Sequence, residues 1–245
     1  MDTVKRLVKK GAAVDKEDKD GFTALDIAIL NGNLDIAKEL CKKMNIDTHW
    51  LDDSSPYLHW AAYLGRLNVV KELINKGDAI HTRDSDDWTP LHWASRNGPL
   101  HVVKFLVDNK ANIEAKTKAG RTPLHWASMD AHLDVVQFLV DHKADIEAKD
   151  KFGETPLHRA SCNGHLNVVQ FLVDYKADIN AKDQNGQTPL HWASCNRHLD
   201  VVKFLVDNKA DINAKDVNGQ TPLHVAKLCD HITVAEYLLS KGGAE

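Results

Sequence analysis

Long apolar runs are missing from this chain: nothing approaches the roughly 18 consecutive apolar residues that a membrane-spanning helix needs. Its opening, Met1-Asp2-Thr3-Val4-Lys5, lacks the apolar core of a secretory signal. Cysteine is scarce. Cys41, Cys162, Cys195 and Cys229 show neither CxxC nor finger-like spacing, which fits free thiols in a reducing compartment rather than a disulfide framework or a zinc module. A dominant charge is lacking too: 31 basic residues against 35 acidic ones leave a net charge of −4, too mild for a dedicated binder of nucleic acid or acidic membranes. Also absent are a glycine-rich phosphate loop, HExxH, GxSxG and a spaced pair of carboxylates. The remaining composition, 43% hydrophobic and 27% charged, is that of an ordinary folded chain, neither disordered nor collagen-like.

Repetition fills the space that these absences leave. Thr89-Pro90-Leu91-His92 returns as Thr122-Pro123-Leu124-His125, Thr155-Pro156-Leu157-His158, Thr188-Pro189-Leu190-His191 and Thr221-Pro222-Leu223-His224, every 33 residues. Residues 155–187 and 188–220 agree at 27 of 33 positions. The same register puts Pro56-Tyr57-Leu58-His59 and Thr23-Ala24-Leu25-Asp26 in the tetrapeptide slot. Seven copies therefore start at 23, 56, 89, 122, 155, 188 and 221, and residues 1–22 supply the tail of an earlier one. Such a chain builds small neighbouring cores rather than one large one.

Each copy predicts two short helices and a turn. Thr122 suits an N-cap, with Pro123 at the first helical position, where a missing N–H costs nothing. Leu124 and Ala127 share one face. Gly32, Gly65, Gly98 and Gly164 hold the place that closes this helix. Leu133, Val135, Val136, Phe138, Leu139 and Val140 then give a second helix with a broad apolar face. Lys151-Phe152-Gly153 is a turn with glycine where positive φ is wanted.

Thr-Pro-Leu-His-x-Ala at this period resembles the ankyrin repeat, over essentially the whole chain. The resemblance implies an all-α solenoid of stacked antiparallel helix pairs with projecting β-hairpin-like loops and a concave face, expected as one domain over 1–245. It implies that His59, His92, His125, His158, His191 and His224 bridge neighbouring copies near the threonine hydroxyl, and that His132, His165, His198 and His231 form a second ladder. Copies about 8–10 Å apart cannot share a metal whose bonds are about 2 Å long, so neither a metal nor a cofactor is expected. Cys162 and Cys195 occupy equivalent places in adjacent copies, slightly beyond the roughly 7 Å between Cα atoms that a disulfide allows. Two departures from the family stand out. The glycine that closes the second helix is kept at Gly11, Gly77 and Gly242 but is replaced by Met44, Lys110, Lys143, Lys176 and Lys209, each at a cost on the order of 1 kcal/mol. The loop glycine is replaced by Ser54 and Asp87, so those two loops are expected to take a different shape.

The residue after the histidine is Trp60, Trp93, Trp126, Arg159 or Trp192, with Ile27 and Val225 in the outermost copies. Helical spacing puts Tyr63, Arg96, Asn97, Met129 and Asp130 on the same face. In the ankyrin family this face and the loop tips are the usual partner contacts, so the stripe is expected to line the groove. A second reading stays open, in which the indoles pack sideways between first helices with their N–H groups reaching the loops. Trp50 and Trp88 replace polar loop residues beside acidic stretches that include Asp86. The following loop, with Lys118 and Arg121, is basic. This aromatic and charged composition resembles a binding hot spot, and a partner docking across the copies that start at 56, 89 and 122 is the expectation. The lysine row Lys116, Lys149, Lys182 and Lys215, interleaved with Asp150, Asp183 and Asp216, reads as a charge-balanced loop edge rather than a nucleic-acid contact.

The expected function is that of a non-catalytic scaffold or adaptor binding one or more proteins. The chain is expected to be monomeric and cytoplasmic, with no nucleic acid bound and no membrane insertion. A start inside a repeat also fits a targeting or regulatory segment of a longer protein. Recent duplication of copies fits a host-directed effector of an intracellular bacterium or virus.

Overall fold

The computed structural model describes residues 13–46, 57–77 and 79–244. Trp50, Ser54 and the helical tail expected within 1–12 lie outside them. By internal contacts the chain forms two compact units, Met1–Asn112 and Ile113–Glu245.

The tetrapeptide folds as it does for local reasons. Thr122 takes an extended conformation (φ −90°, ψ 167°) and its hydroxyl accepts the His125 N–H, while its own backbone N–H donates 3.2 Å to Nδ1 of the His125 ring. This is a capping box with histidine where Glu or Gln is more usual. Thr89, Thr155 and Thr188 do the same with His92, His158 and His191. In the first copy Asp26 substitutes for histidine: its Oδ2 accepts from Thr23 N and Thr23 Oγ1 at 2.8 and 2.7 Å.

Each start opens a short helix that is followed at once by a second. In the N-terminal unit these are α1 (Ala24–Leu30), α2 (Leu34–Lys43), α3 (Tyr57–Tyr63), α4 (Leu67–Asn75), α5 (Pro90–Asn97) and α6 (Leu100–Asp108). In the C-terminal unit they are α7 (Pro123–Met129), α8 (Leu133–Asp141), α9 (Pro156–Cys162), α10 (Leu166–Asp174), α11 (Pro189–Cys195), α12 (Leu199–Asp207), α13 (Pro222–Leu228) and α14 (Ile232–Ser240). The described residues contain no strand. Within the first unit, first helices pack in the order α1–α3–α5. Within the second they pack α7–α9–α11–α13, with the second helices α8–α10–α12–α14 alongside. This is the expected all-α solenoid architecture.

The core is the repeat's own apolar set. Leu58, Leu91, Leu124, Leu157, Leu190 and Leu223 are buried, as are the Val-Val-x-x-Leu triplets such as Val135, Val136 and Leu139. Each such side chain contributes about 1.5–3 kcal/mol by leaving water. Lys110, Lys143, Lys176 and Lys209 close their second helices at φ 70–72°, the left-handed conformation foreseen for them. The expectation for Met44 needs correction. Met44 stays at φ −82° and Asn45 takes the turn at φ 56°, because asparagine tolerates that region better than a longer side chain.

The loops are organised by an aspartate. Asp150 Oδ1 accepts from Phe152 N and Glu154 N at 2.8 and 3.0 Å, and Asp84, Asp183 and Asp216 bond the residues two and four beyond them in the same way. The loop at 84–88 therefore keeps the common shape, contrary to expectation. Asp87 adopts φ 63°, and its N–H reaches Asp84 O as Gly153 N reaches Asp150 O. The aspartate bonds outweigh the missing glycine. In the C-terminal unit neighbouring loops are joined by single bonds, Lys151 N to Ala119 O, Gln184 N to Phe152 O and Val217 N to Asn185 O, each 2.9 Å.

Candidate functional site

The histidines come first, because their bonds settle their protonation. Nδ1 of His125, His158 and His191 accepts a threonine backbone N–H, so the proton sits on Nε2. Nε2 then donates to a carbonyl in the next copy: His125 to Glu154 O at 3.0 Å, and His158 and His191 to Gln187 O and Gln220 O at 3.1 Å. His59 lies 2.9 Å from Trp88 O in the N-terminal unit. Burial pushes the His125 imidazole down to about 3 and lowers those of His158 and His191 as well, because a charge there would be desolvated. The second ladder is equally committed. His165, His198 and His231 reach Met129 O, Cys162 O and Cys195 O at 2.8–2.9 Å. Pro99 occupies that slot in the copy starting at 89, and His101, two residues on, bonds Gly65 O instead.

In three copies the residue after the tetrapeptide histidine answers the loop aspartate nine positions earlier. Trp93 Nε1 donates to Asp84 Oδ2 at 2.9 Å, Trp192 Nε1 to Asp183 Oδ2 at 3.2 Å, and Arg159 Nη2 to Asp150 Oδ2 at 3.3 Å. Asp150 and Asp183 read in the sequence only as charge balance for the lysine row, although the recurrence of Asp84, Asp150 and Asp183 nine residues before Trp or Arg is visible there. Thr117 stands in that place before Trp126, and the Trp126 ring is covered by the Arg121 guanidinium, 5.3 Å from its centroid.

In the N-terminal unit the candidate residues form an aromatic cluster. Tyr63 meets Trp93 edge-on at 5.8 Å, Trp93 stacks near Trp88 at 4.5 Å, and the Arg96 guanidinium lies 5.5 Å over Trp88. Asn97 Nδ2 donates to Tyr63 O at 2.7 Å. In the C-terminal unit they form an ion network. Arg121 Nε is 3.2 Å from Asp150 Oδ2, and Arg159 pairs with both Asp150 and Glu154. Two cations thus face two carboxylates, and the Asp150 side chain is fully buried. Double pairing of this kind orients the guanidiniums rather than leaving a free charge.

Burial sorts the predicted residues. Trp60 is 0% exposed, Trp93 5%, Trp126 7%, Tyr63 7% and Trp88 9%. The expectation that these rings line an open surface is corrected, most completely for Trp60. Tyr63, Trp93 and Trp88 pack on one another within the N-terminal unit, and Arg121 covers Trp126 in the C-terminal one. Trp192, Arg96, Arg121, Arg159, Met129 and Asp130 are half-buried, whereas Asp86, Asn97 and Lys118 are exposed. Polar groups thus form the outer surface over an aromatic or ionic layer. The lysine row is structural as well: Lys116, Lys149 and Lys182 each donate Nζ to the carbonyl of the next lysine in the row, at 3.0–3.2 Å. Among the described residues no helix is long and apolar enough to cross a membrane.

Comparison with known families finds a match to the one described as ankyrin repeats (3 copies), at residues 1–52, 58–150, 112–183, 146–216 and 180–245. No individual curated protein matches the chain.

Proposed function

We propose that this chain, which belongs to the ankyrin-repeat family, is a non-catalytic scaffold or adaptor that holds a partner protein on the surface-reaching residues of its first helices and loop tips. Ankyrin repeats are protein-interaction modules, and repeat arrays of this kind offer broad, rigid binding surfaces that lose little entropy on binding. The reading includes a monomeric, cytoplasmic protein in which the copies act as one domain, without nucleic acid or membrane insertion.

One observation carries it. The copies at 155–187 and 188–220 differ at six positions, and all six reach the surface in both: Arg159, Gly164, Asn167, Gln170, Tyr175 and Gln184 against Trp192, Arg197, Asp200, Lys203, Asn208 and Val217. The shared 27 residues include the whole buried set. Two of the six, Arg159/Trp192 on a first helix and Gln184/Val217 on a loop, fall on the surface proposed for the partner.

The test is capture from cell lysate by the full chain and by a variant carrying Asp86→Ala, Arg96→Ala and Lys118→Ala, with circular dichroism confirming equal helicity. A defined set of proteins is expected to fall about tenfold or more with the variant, the loss that a few central contacts produce. Equal capture of the same proteins would move the contact away from these residues. Trp60→Ala is unsuitable for this purpose, since emptying that site costs about 3–5 kcal/mol of stability.

A further inference from the structure

Two cysteines in the C-terminal unit lie where nothing in the binding function requires them. Cys195 ends α11 and Cys229 caps α13, the first helices of adjacent copies, and their sulfurs are 3.1 Å apart. The reason is an offset in the repeat. Cys162 and Cys195 hold equivalent positions, 33 residues apart, but Cys229 is 34 residues beyond Cys195. One further residue turns a side chain by about 100° around a helix end, and here that turn swings the sulfur back onto its neighbour. Cys162 Sγ instead has Asn196 Nδ2 3.6 Å away. Cys195 and Cys229 are both part-exposed, so a small oxidant reaches them, whereas Cys41 in the N-terminal unit is fully buried.

We propose that Cys195 and Cys229 form an oxidation-closed clasp between the last two copies, with a peroxide as the oxidant. The first thiol is oxidised by hydrogen peroxide to a sulfenic acid, releasing one water. The second thiol then attacks that sulfur, its proton leaving with the hydroxyl as a second water. Two thiols and one peroxide thus become one disulfide and two waters, and a dithiol reductant reverses the bond. Closure needs the sulfurs to approach by only about 1 Å, to the bond length of about 2.05 Å. Burial and the adjacent thiol push the Cys195 thiol up to about 11, so closure is faster as pH rises and its thiolate becomes available.

The test uses the full chain, treated with hydrogen peroxide, quenched, alkylated and digested without reduction. The expected product is one cross-linked peptide pair holding Cys195 and Cys229, lighter than the two peptides by two hydrogens, with Cys41 and Cys162 alkylated as thiols. Dithiothreitol should restore both peptides. Cys162→Ser should keep the cross-link and Cys229→Ser, checked for unchanged helicity, should abolish it. Closing a loop of this length should slow amide exchange across α11–α14 by on the order of a hundredfold. Alkylation of both Cys195 and Cys229 after peroxide treatment would overturn the clasp. So would a Cys162–Cys195 or interchain cross-link, or sulfenic and higher acids accumulating without a bridge.

Discussion

Lys110, Lys143, Lys176 and Lys209 each hold φ at 70–72° with no chain-specific benefit visible in their bonds. A side chain in that region crowds its own carbonyl, at about 1 kcal/mol or somewhat more, and glycine avoids the crowding while giving back a part as backbone entropy. Lys143→Gly should therefore raise unfolding free energy by about 0.5–1 kcal/mol, with the other three adding independently. Urea denaturation measures this; a fall in the midpoint would mean that the lysine side chain stabilises the turn. These positions were legible because the repeat shows where a glycine belongs. The burial of Trp60 and Trp93 was one of two readings that the sequence left open. Face arithmetic along one helix cannot see the neighbours on either side of it, and here those neighbours cover the indoles.

Between elements, the histidine ladder carries a pH dependence whose sign follows from its bonds. His125, His158 and His191 are held neutral in the fold, with His125 down at about 3, whereas in the unfolded chain a histidine titrates near its ordinary 6.5. Below about pH 6.5 the unfolded state takes up protons that the folded state refuses. Stability is thus complete above that pH and is lost as pH falls, for His125 down toward about 3 at about 1.4 kcal/mol per pH unit, with His158 and His191 adding losses of the same sign. Denaturation midpoints at pH 7.5, 6 and 5 should descend steadily, and a flat profile would show that the imidazoles accept protons in place. The ladder was readable from the tetrapeptide. The loops are less legible in the sequence, where the glycine at their tip is the more conspicuous signal. The aspartate at their base, with two backbone bonds and a side-chain donor nine residues later, decides their shape, which is why Asp87 could replace glycine without altering the turn.

At the scale of the molecule, the bonds that join copies in the C-terminal unit recur at fixed separations: 29 for the tetrapeptide histidines, 33 for the lysine row and 36 for the second histidine ladder. Deleting residues 155–187 would join Glu154 to Thr188 and leave every such bond a partner of the right type. Lys149 would meet Lys215 O, His198 would meet Met129 O, and Trp192 would inherit Asp150 from Arg159. The shortened chain should fold with unchanged helicity per residue and a modestly lower midpoint, as expected when one nearest-neighbour interface is removed. Loss of helicity well beyond the deleted helices would show that the copies depend on longer-range support. The fixed separations have a genetic consequence. Unequal crossing-over between the nearly identical copies yields chains one repeat longer or shorter that are already in register, so the reach of this protein is open to change by recombination alone, before any point mutation is tried.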